Sequence, residues 1–292
     1  MAGDICEAPG MVYLPAMQNS MVRSLLSALL AAAALVSASR GATQGREEVP
    51  FITSPDNVTL EMLRSARVGP RDHVIDLGSG DGRIVILAAK RFGATGLGVE
   101  IVPDLVKQSN ESARRVGVAG KVKFLEQDLF KTDLSQASVI TMYLLPEVNM
   151  DLRPRVLQLK PGTRIVSHDW DMGDWLPDQT VLLPVPDKTV GIEKSSRVHL
   201  WIVPARVDGL WCGRGATQLR ITQRHQMFTA TVAAGATSRA LAGKIDGAVL
   251  HTAGGGRLAL DAAGQQIAAS GSIAGLPLRT RFTRATGSSC AG

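Results

Sequence analysis

A chain of 292 residues, 45% of them hydrophobic, is long enough for about two domains with sizeable cores. Its formal net charge of +6 comes mostly from scattered arginines, with no run of like charges and no basic stripe interleaved with aromatics, which argues against a nucleic-acid partner. Three cysteines and five histidines show neither C-x-x-C nor H-x-x-x-H spacing, so no metal site is predicted.

In chain order, the first feature is "MVRSLLSALLAAAALVSASRG", beginning at Met21. One arginine precedes an apolar run, Leu25 to Val36, and Val36-Ser37-Ala38 offers small residues at a cleavage position. That order is the pattern of a secretory signal, and the run is shorter than the about 20 residues of an ordinary transmembrane helix. Residues 1–38 therefore read as a signal peptide or short membrane anchor, with translation starting at Met21 or Met17. The chain is expected to be exported, periplasmic or membrane-anchored, and cytoplasmic if this segment is not a signal. Residues 39–50 read as a linker.

"PFITSPDNV" then suggests a helix capped by Ser54, with Pro55 at its first position and Val58, Met62 and Ala66 on one face. A strand over His73–Leu77 leads into glycines. A helix over Ile84–Phe92, a strand over Gly96–Val99, a helix over Pro103–Val116 and a strand over Lys121–Leu125 follow. Next come a strand over Ala137–Leu144, a helix over Pro146–Leu159 bent or interrupted at Pro154, and a strand over Thr163–Ser167. Val181–Val185 and Arg197–Val203 close the region as an antiparallel edge. Strands alternating with helices predict a parallel sheet covered on both faces. After Pro204 the helical period disappears, and short strands with turn signals every 8–12 residues predict an all-β domain. The domains are thus placed at 51–204 and 205–292. Trp211 is expected to be buried, His225 and His251 to be structural, and Cys212 and Cys290 to be either a pair or two free thiols.

Ligands of parallel sheets bind beyond the carboxyl ends of the strands, so Gly78, Gly80 and Gly82 are candidate ligand contacts. A dinucleotide fingerprint would be G-x-G-x-x-G, and Arg83 stands at its third glycine, which weakens a nicotinamide reading. The stretch "DLGSGDG" instead resembles the first motif of class I S-adenosylmethionine-dependent methyltransferases. The resemblance implies a Rossmann-like, seven-stranded α/β fold, mostly parallel with an antiparallel edge, here followed by the small all-β domain. It also implies S-adenosylmethionine as cofactor, held by Asp76, Gly78, Ser79, Gly80, Asp81 and Gly82, by Glu100 at the ribose hydroxyls and by Asp128 near the adenine. Taken singly, Asp76 could cap the turn, Glu100 the following helix, and Asp128 an ordinary turn.

Residues Pro50 to Pro204, with "PFITSPDNV", "IDLGSGDGR" and "MYLLPEVNMDLRP", are similar to the mitochondrial lysine methyltransferases of the ATP synthase c-subunit and the adenine nucleotide translocase. This likeness implies a protein lysine as methyl acceptor. In "MYLLPE", where amide- and adenine-directed enzymes carry an Asn-Pro-Pro-Tyr-like motif, Tyr143 and Glu147 are candidate catalytic residues; alternatively Tyr143 is core and Glu147 opens a helix. In "SHDWDMGDW", His168 and Asp169 are candidates for accepting a proton. Trp170 and Trp175, with Thr53, are candidates for holding substrate, a cationic lysine resting on tryptophan by cation–π attraction; alternatively the loop is simply packed. Three other functions stay open: methylation of a small molecule or lipid, a catalytically silent adenosyl-binding protein, and a nicotinamide oxidoreductase.

Overall fold

A computed structural model describes residues 52–290 except 190, 216, 272 and 274–279. The signal or anchor segment, its apolar run 25–36 and the linker 39–50 lie outside the described residues. Among the described residues no helix is long and apolar enough to cross a membrane.

The first part of the chain runs α1 (Asp56–Ser65), β1 (His73–Leu77), α2 (Arg83–Phe92), β2 (Thr95–Glu100), α3 (Pro103–Arg115), β3 (Val122–Glu126), a 3-10 turn (Leu129–Lys131) and β4 (Val139–Met142). It continues with α4 (Pro146–Val156), β5 (Arg164–His168), β6 (Gln179–Pro184) and β7 (Ser195–Ile202). The strands form one sheet in the order β3-β2-β1-β4-β5-β7-β6. β1 to β5 pair in parallel, while β7 runs antiparallel to both β5 and β6. This is the Rossmann-like arrangement with an antiparallel edge. The order reverses between β1 and β4, which opens a crevice at the carboxyl ends of those strands.

Burial explains why the strands are so apolar. Neighbouring residues of one strand point to opposite faces. Val74 and Val166 pack with Val58, Met62 and Leu63 of α1, whereas Ile75 and Ile165 pack with Leu152 and Val156 of α4 on the other side. A sheet buried on both faces keeps apolar residues at nearly every position. At Gly98 on β2, an added Cβ would lie 2.6 Å from Phe124 Cε1 and 2.7 Å from Ser79 Oγ. Only glycine there lets the turn after β1 settle against β3.

Two local expectations are corrected. Ser54 does not cap α1, because Pro55 takes the cap position without a side-chain bond and the Ser54 hydroxyl is engaged with His168 instead. Pro154 does not interrupt α4; it sits within the last turn, and the helix ends at Val156 rather than Leu159.

The rest is an eight-stranded antiparallel closed barrel. Its strands are β8 (Gly209–Cys212), β9 (Gln218–Arg224), β10 (Met227–Ala234), β11 (Thr237–Asp246), β12 (Val249–Thr252), β13 (Arg257–Leu260), β14 (Gln266–Ser270) and β15 (Arg281–Arg284). Closure comes from β15 pairing with β8, Thr283 opposite Cys212. The interior is packed with Trp211, Leu219, Phe228, Leu250 and Phe282. Cys212 and Cys290 form a disulfide. Lys244 pairs with Asp178 at 2.7 Å and Gln226 Nε2 donates to Leu176 O at 2.6 Å, so the barrel is bonded to the loop after β5.

Candidate active site

The turn after β1 is built by backbone. The amides of Gly78 and Ser79 both donate to Val99 O, at 3.0 and 2.9 Å, which folds the chain over the tip of β2. Gly82 caps α2 at φ +78°, and a Cβ there would meet the Phe124 ring at 2.7 Å. A left-handed, crowded position of this kind needs glycine.

Three carboxylates lie at the carboxyl ends of adjacent strands: Asp76 in β1, Glu100 as the last residue of β2 and Asp128 two residues beyond β3. Asp76 is buried. Burial pushes its carboxyl up to about 7, with Glu100 and Asp81 adding to the rise and a hydrogen bond from Thr141 Oγ1 at 2.7 Å opposing it. Glu100 accepts from Gly80 N at 2.9 Å, Ile101 N at 2.8 Å and Val102 N at 3.1 Å. Asp128 accepts from Phe130 N at 2.8 Å. Ser79 Oγ is buried without a hydrogen-bond partner, which is costly unless a ligand supplies one. Acidic strand tips, a side-chain-free glycine turn and an orphaned hydroxyl fit an adenosyl ligand carrying ammonium and sulfonium charges.

Asp81 is not a free carboxylate. Arg83 Nε reaches its two oxygens at 3.0 and 3.1 Å, and Arg83 Nη2 lies 2.7 Å from Oδ2. The same guanidinium donates through Nη1 to Ser54 O at 2.9 Å. The residue that breaks the dinucleotide fingerprint therefore ties the leading segment, residues 52–55, to the glycine turn.

A cleft of about 450 Å³ is walled by the leading segment, by Tyr143 and His168, and by the β6–β7 loop. Tyr143 follows β4 and His168 ends β5; their rings stack with centroids 3.9 Å apart. His168 is buried, bonded through Nδ1 to Ser54 Oγ at 2.8 Å and through Nε2 to Ser196 Oγ at 2.9 Å. Burial lowers its pKa to about 4, so the ring is neutral at neutral pH. Asp169 follows at φ +61°, a left-handed conformation rare outside glycine. Its Oδ1 accepts from Arg197 N at 2.8 Å and its Oδ2 from Lys188 Nζ at 2.7 Å. Burial alone would raise this carboxyl, but the bonds from Lys188 and Arg197 hold it below its ordinary value.

The cleft thus gathers Thr53, Tyr143 and His168, with Asp169 reached through Lys188. Glu147 is an exposed acid in the first turn of α4 and is not among the lining residues. Trp170 is 43% exposed and also lies outside the lining. The reading of Trp175 as a substrate wall is corrected: it is fully buried, with its ring against Trp201 and His225. Gly173 turns the chain at φ +64° and Trp201 Nε1 donates to Trp175 O at 2.6 Å, so the second tryptophan is folded into the core. Sequence reasoning missed Lys188, within the β6–β7 loop, and Ser196, on β7, neither of which belongs to a motif. It also missed Asn149, whose Nδ2 donates to Trp170 O and Asp171 O and stitches α4 to the loop after β5.

A family model, the ANTKMT methyltransferase domain, matches residues 76–179. A protein-lysine N-methyltransferase of Saccharolobus islandicus is 40% identical over 135 residues, which cover 46% of this chain and 84% of that protein. The chain belongs to the ANTKMT methyltransferase family. It is an S-adenosylmethionine-dependent methyltransferase. The mouse lysine N-methyltransferase of the ATP synthase c-subunit is 38% identical over 45% of this chain; the methyltransferase spans about half, 52%, of that relative. A Salinibacter ruber structure, described as an RNA methyltransferase in complex with S-adenosyl-L-homocysteine, is 48% identical, with a TM-score of 0.48 over 53% of this chain and 96% of that one.

Proposed function

We propose that this methyltransferase moves the methyl group of S-adenosylmethionine to the side-chain amine of a protein lysine. The observation that carries the reading is chemical: Lys188, one of the residues lining the cleft at the ends of β4 and β5, has its ammonium 2.7 Å from the Asp169 carboxylate, so this part of the fold pairs an aliphatic ammonium with a carboxylate. The names of the archaeal and mouse relatives, both lysine methyltransferases, point the same way.

The bound cofactor would supply an electrophilic methyl on a sulfonium. The chain's own tasks are then binding, alignment and exclusion of water. Glu100 would accept from the ribose hydroxyls, Asp76 would face the ammonium, Asp128 the adenine, and Gly78, Ser79, Gly80 and Gly82 would lend backbone. Asp81 would act through Arg83, closing the leading segment over the groove. In the cleft, Thr53 and Tyr143 would shape the acceptor channel and Asp169 would pair with the incoming ammonium. With both ring nitrogens engaged, His168 is a positioning residue rather than the proton acceptor. Neither Glu147 nor Trp170 is given a catalytic task. Residues 51–204 form the catalytic part and 205–292 an accessory barrel. Residues 25–36 take the chain to or across a membrane; the disulfide agrees, since such bonds persist in oxidising compartments. Mass spectrometry of the native N-terminus tests that point, and a full chain from Met1 recovered with soluble cytosolic protein would overturn it.

The central experiment supplies methyl-labelled S-adenosylmethionine to the purified protein with a cell lysate, followed by separation into protein, RNA and lipid fractions. Label on lysine ε-nitrogens is expected. Label confined to RNA, to lipid or to small molecules, or no transfer at all, would reject the lysine reading.

A further inference from the structure

We propose that Lys188 is itself a methyl acceptor, so that the enzyme modifies its own acceptor cleft within a single chain. The proposal rests on the lysine reading above and adds a specific site to it. Lys188 lies on the loop between β6 and β7. Its Nζ donates to Asp169 Oδ2 and to Ser195 O, both at 2.7 Å. Asp169 Oδ2 is also 3.4 Å from His168 Nε2, so a single carboxylate oxygen links the amine to the ring that stacks on Tyr143. The side chain is 14% exposed, against 82% for Lys131 and 46% for Lys244. An ordinary solvated lysine would not be drawn in this way. The backbone holds the base of the side chain too: Lys188 N donates to Val185 O at 3.0 Å, and Lys194 Nζ donates to Lys188 O at 2.8 Å. A nucleophile tethered beside the strand ends where the methyl is delivered acts at a high effective concentration.

The chemistry balances with the donor this family uses. One proton leaves the Lys188 ammonium for cleft water, which frees the nitrogen lone pair. The nitrogen–carbon bond forms as the sulfur–carbon bond breaks. The sulfonium becomes a neutral thioether, and the methylated nitrogen carries the positive charge, still able to pair with Asp169.

The test incubates the whole protein with trideuteromethyl-labelled S-adenosylmethionine and maps labelled lysines by peptide mass spectrometry over a hundredfold range of protein concentration. Label is expected on Lys188 ahead of Lys131, Lys194 and Lys244, at a rate independent of protein concentration. Label that tracks exposure, with Lys131 first, or a rate proportional to concentration, overturns the proposal. Lys194→Arg should keep the label at Lys188, and its loss there would also count against the proposal. A cofactor-free measurement adds a second readout: in the wild type, acetic anhydride should acetylate Lys188 several-fold more slowly than Lys131, and Asp169→Asn should remove that difference. Equal rates in the wild type would mean that the amine is not held at Asp169, and would overturn the inference. If lysines of added proteins are labelled and Lys188 is not, this inference falls and the lysine reading stands. If S-adenosylhomocysteine binds in calorimetry and no lysine of any protein is labelled, both fall.

Discussion

Glu100 accepts three backbone N–H groups while remaining partly exposed. Its charge therefore serves the turn, and in the proposed reading it would also accept from two ribose hydroxyls. Glu100→Gln keeps the size, removes the charge and replaces one accepting oxygen by a donor. Charge-assisted hydrogen bonds contribute about 1.5–3 kcal/mol, so S-adenosylhomocysteine should bind roughly 10–100-fold more weakly in calorimetry. An unchanged affinity would leave Glu100 with the turn alone. Two buried groups make a second, opposing pair of predictions. The folded Asp76 carboxyl, raised to about 7, keeps a proton that the unfolded chain gives up near pH 4, so its contribution to stability falls as pH rises from about 4 to 7. The folded His168, lowered to about 4, stays neutral where the unfolded imidazole is charged, so its contribution is complete above about pH 6.5 and is lost as pH falls toward 4. The two slopes offset each other in the wild type. Urea midpoints between pH 4.5 and 6.5 should rise with pH in Asp76→Asn and fall with pH in His168→Asn. Parallel curves in the two variants would mean that neither group titrates as its surroundings imply.

Among the elements, the sheet strands were legible because each is a short apolar run whose period and flanking glycines speak locally. The predicted strand over His73–Leu77 is β1, and the closing pair lies within a few residues of β6 and β7. The acids at the strand tips were readable for the same reason: Asp76 and Glu100 fall within the last two residues of β1 and β2, and Asp128 two residues after β3. What escaped depends on contacts distant in sequence. Trp170 and Trp175 look alike in "SHDWDMGDW", yet Gly173 sends one to the surface and the other against Trp201 and His225. Lys188 is an unremarked cation until β6 and β7 pair and bring it to Asp169. The barrel strands were foreseen as all-β, but closure requires β15 to find β8, some seventy residues away, and no local signal encodes that pairing. Arg83 is the sharpest case. As a letter it spoils a glycine fingerprint; as a helix-opening side chain it joins Asp81 to Ser54 O across 29 residues of sequence. Lysine cannot reproduce that fork. Arg83→Lys should loosen the leading segment, with amide exchange across residues 53–59 faster by about 10-fold for a lost bond of roughly 1–1.5 kcal/mol. Unchanged exchange would mean that packing of α1, not Arg83, holds the segment in place.

For the whole molecule, the barrel and the sheet are bonded yet built on different cores. Trp211 and Phe282 fill one, and Met62, Leu152 and Trp201 fill the others. The disulfide belongs to the barrel alone. It joins the last residue of β8 to Cys290 across a sequence separation of 78 residues, and so encloses β9 to β15. In the chain-entropy account, restricting the unfolded state over a loop of that length stabilises the fold by about 4 kcal/mol. Among the described residues, neither cysteine lines the cleft, and the proposed cofactor residues, Asp76 to Glu100 and Asp128, lie in the sheet part of the chain. Removing the bond should therefore separate stability from ligand binding. Cys212→Ser with Cys290→Ser, or reduction of the wild type, should lower the barrel's unfolding midpoint by roughly 5–15 °C in calorimetry. The affinity for S-adenosylhomocysteine at 20 °C should stay within about twofold, because an interaction acting on the unfolded ensemble leaves the native groove as it was. If reduction instead removed binding while the barrel's melting stayed put, the bonds from Lys244 and Gln226 to the loop after β5 would be holding the acceptor cleft in shape, and the barrel would have to be counted as part of the catalytic machinery.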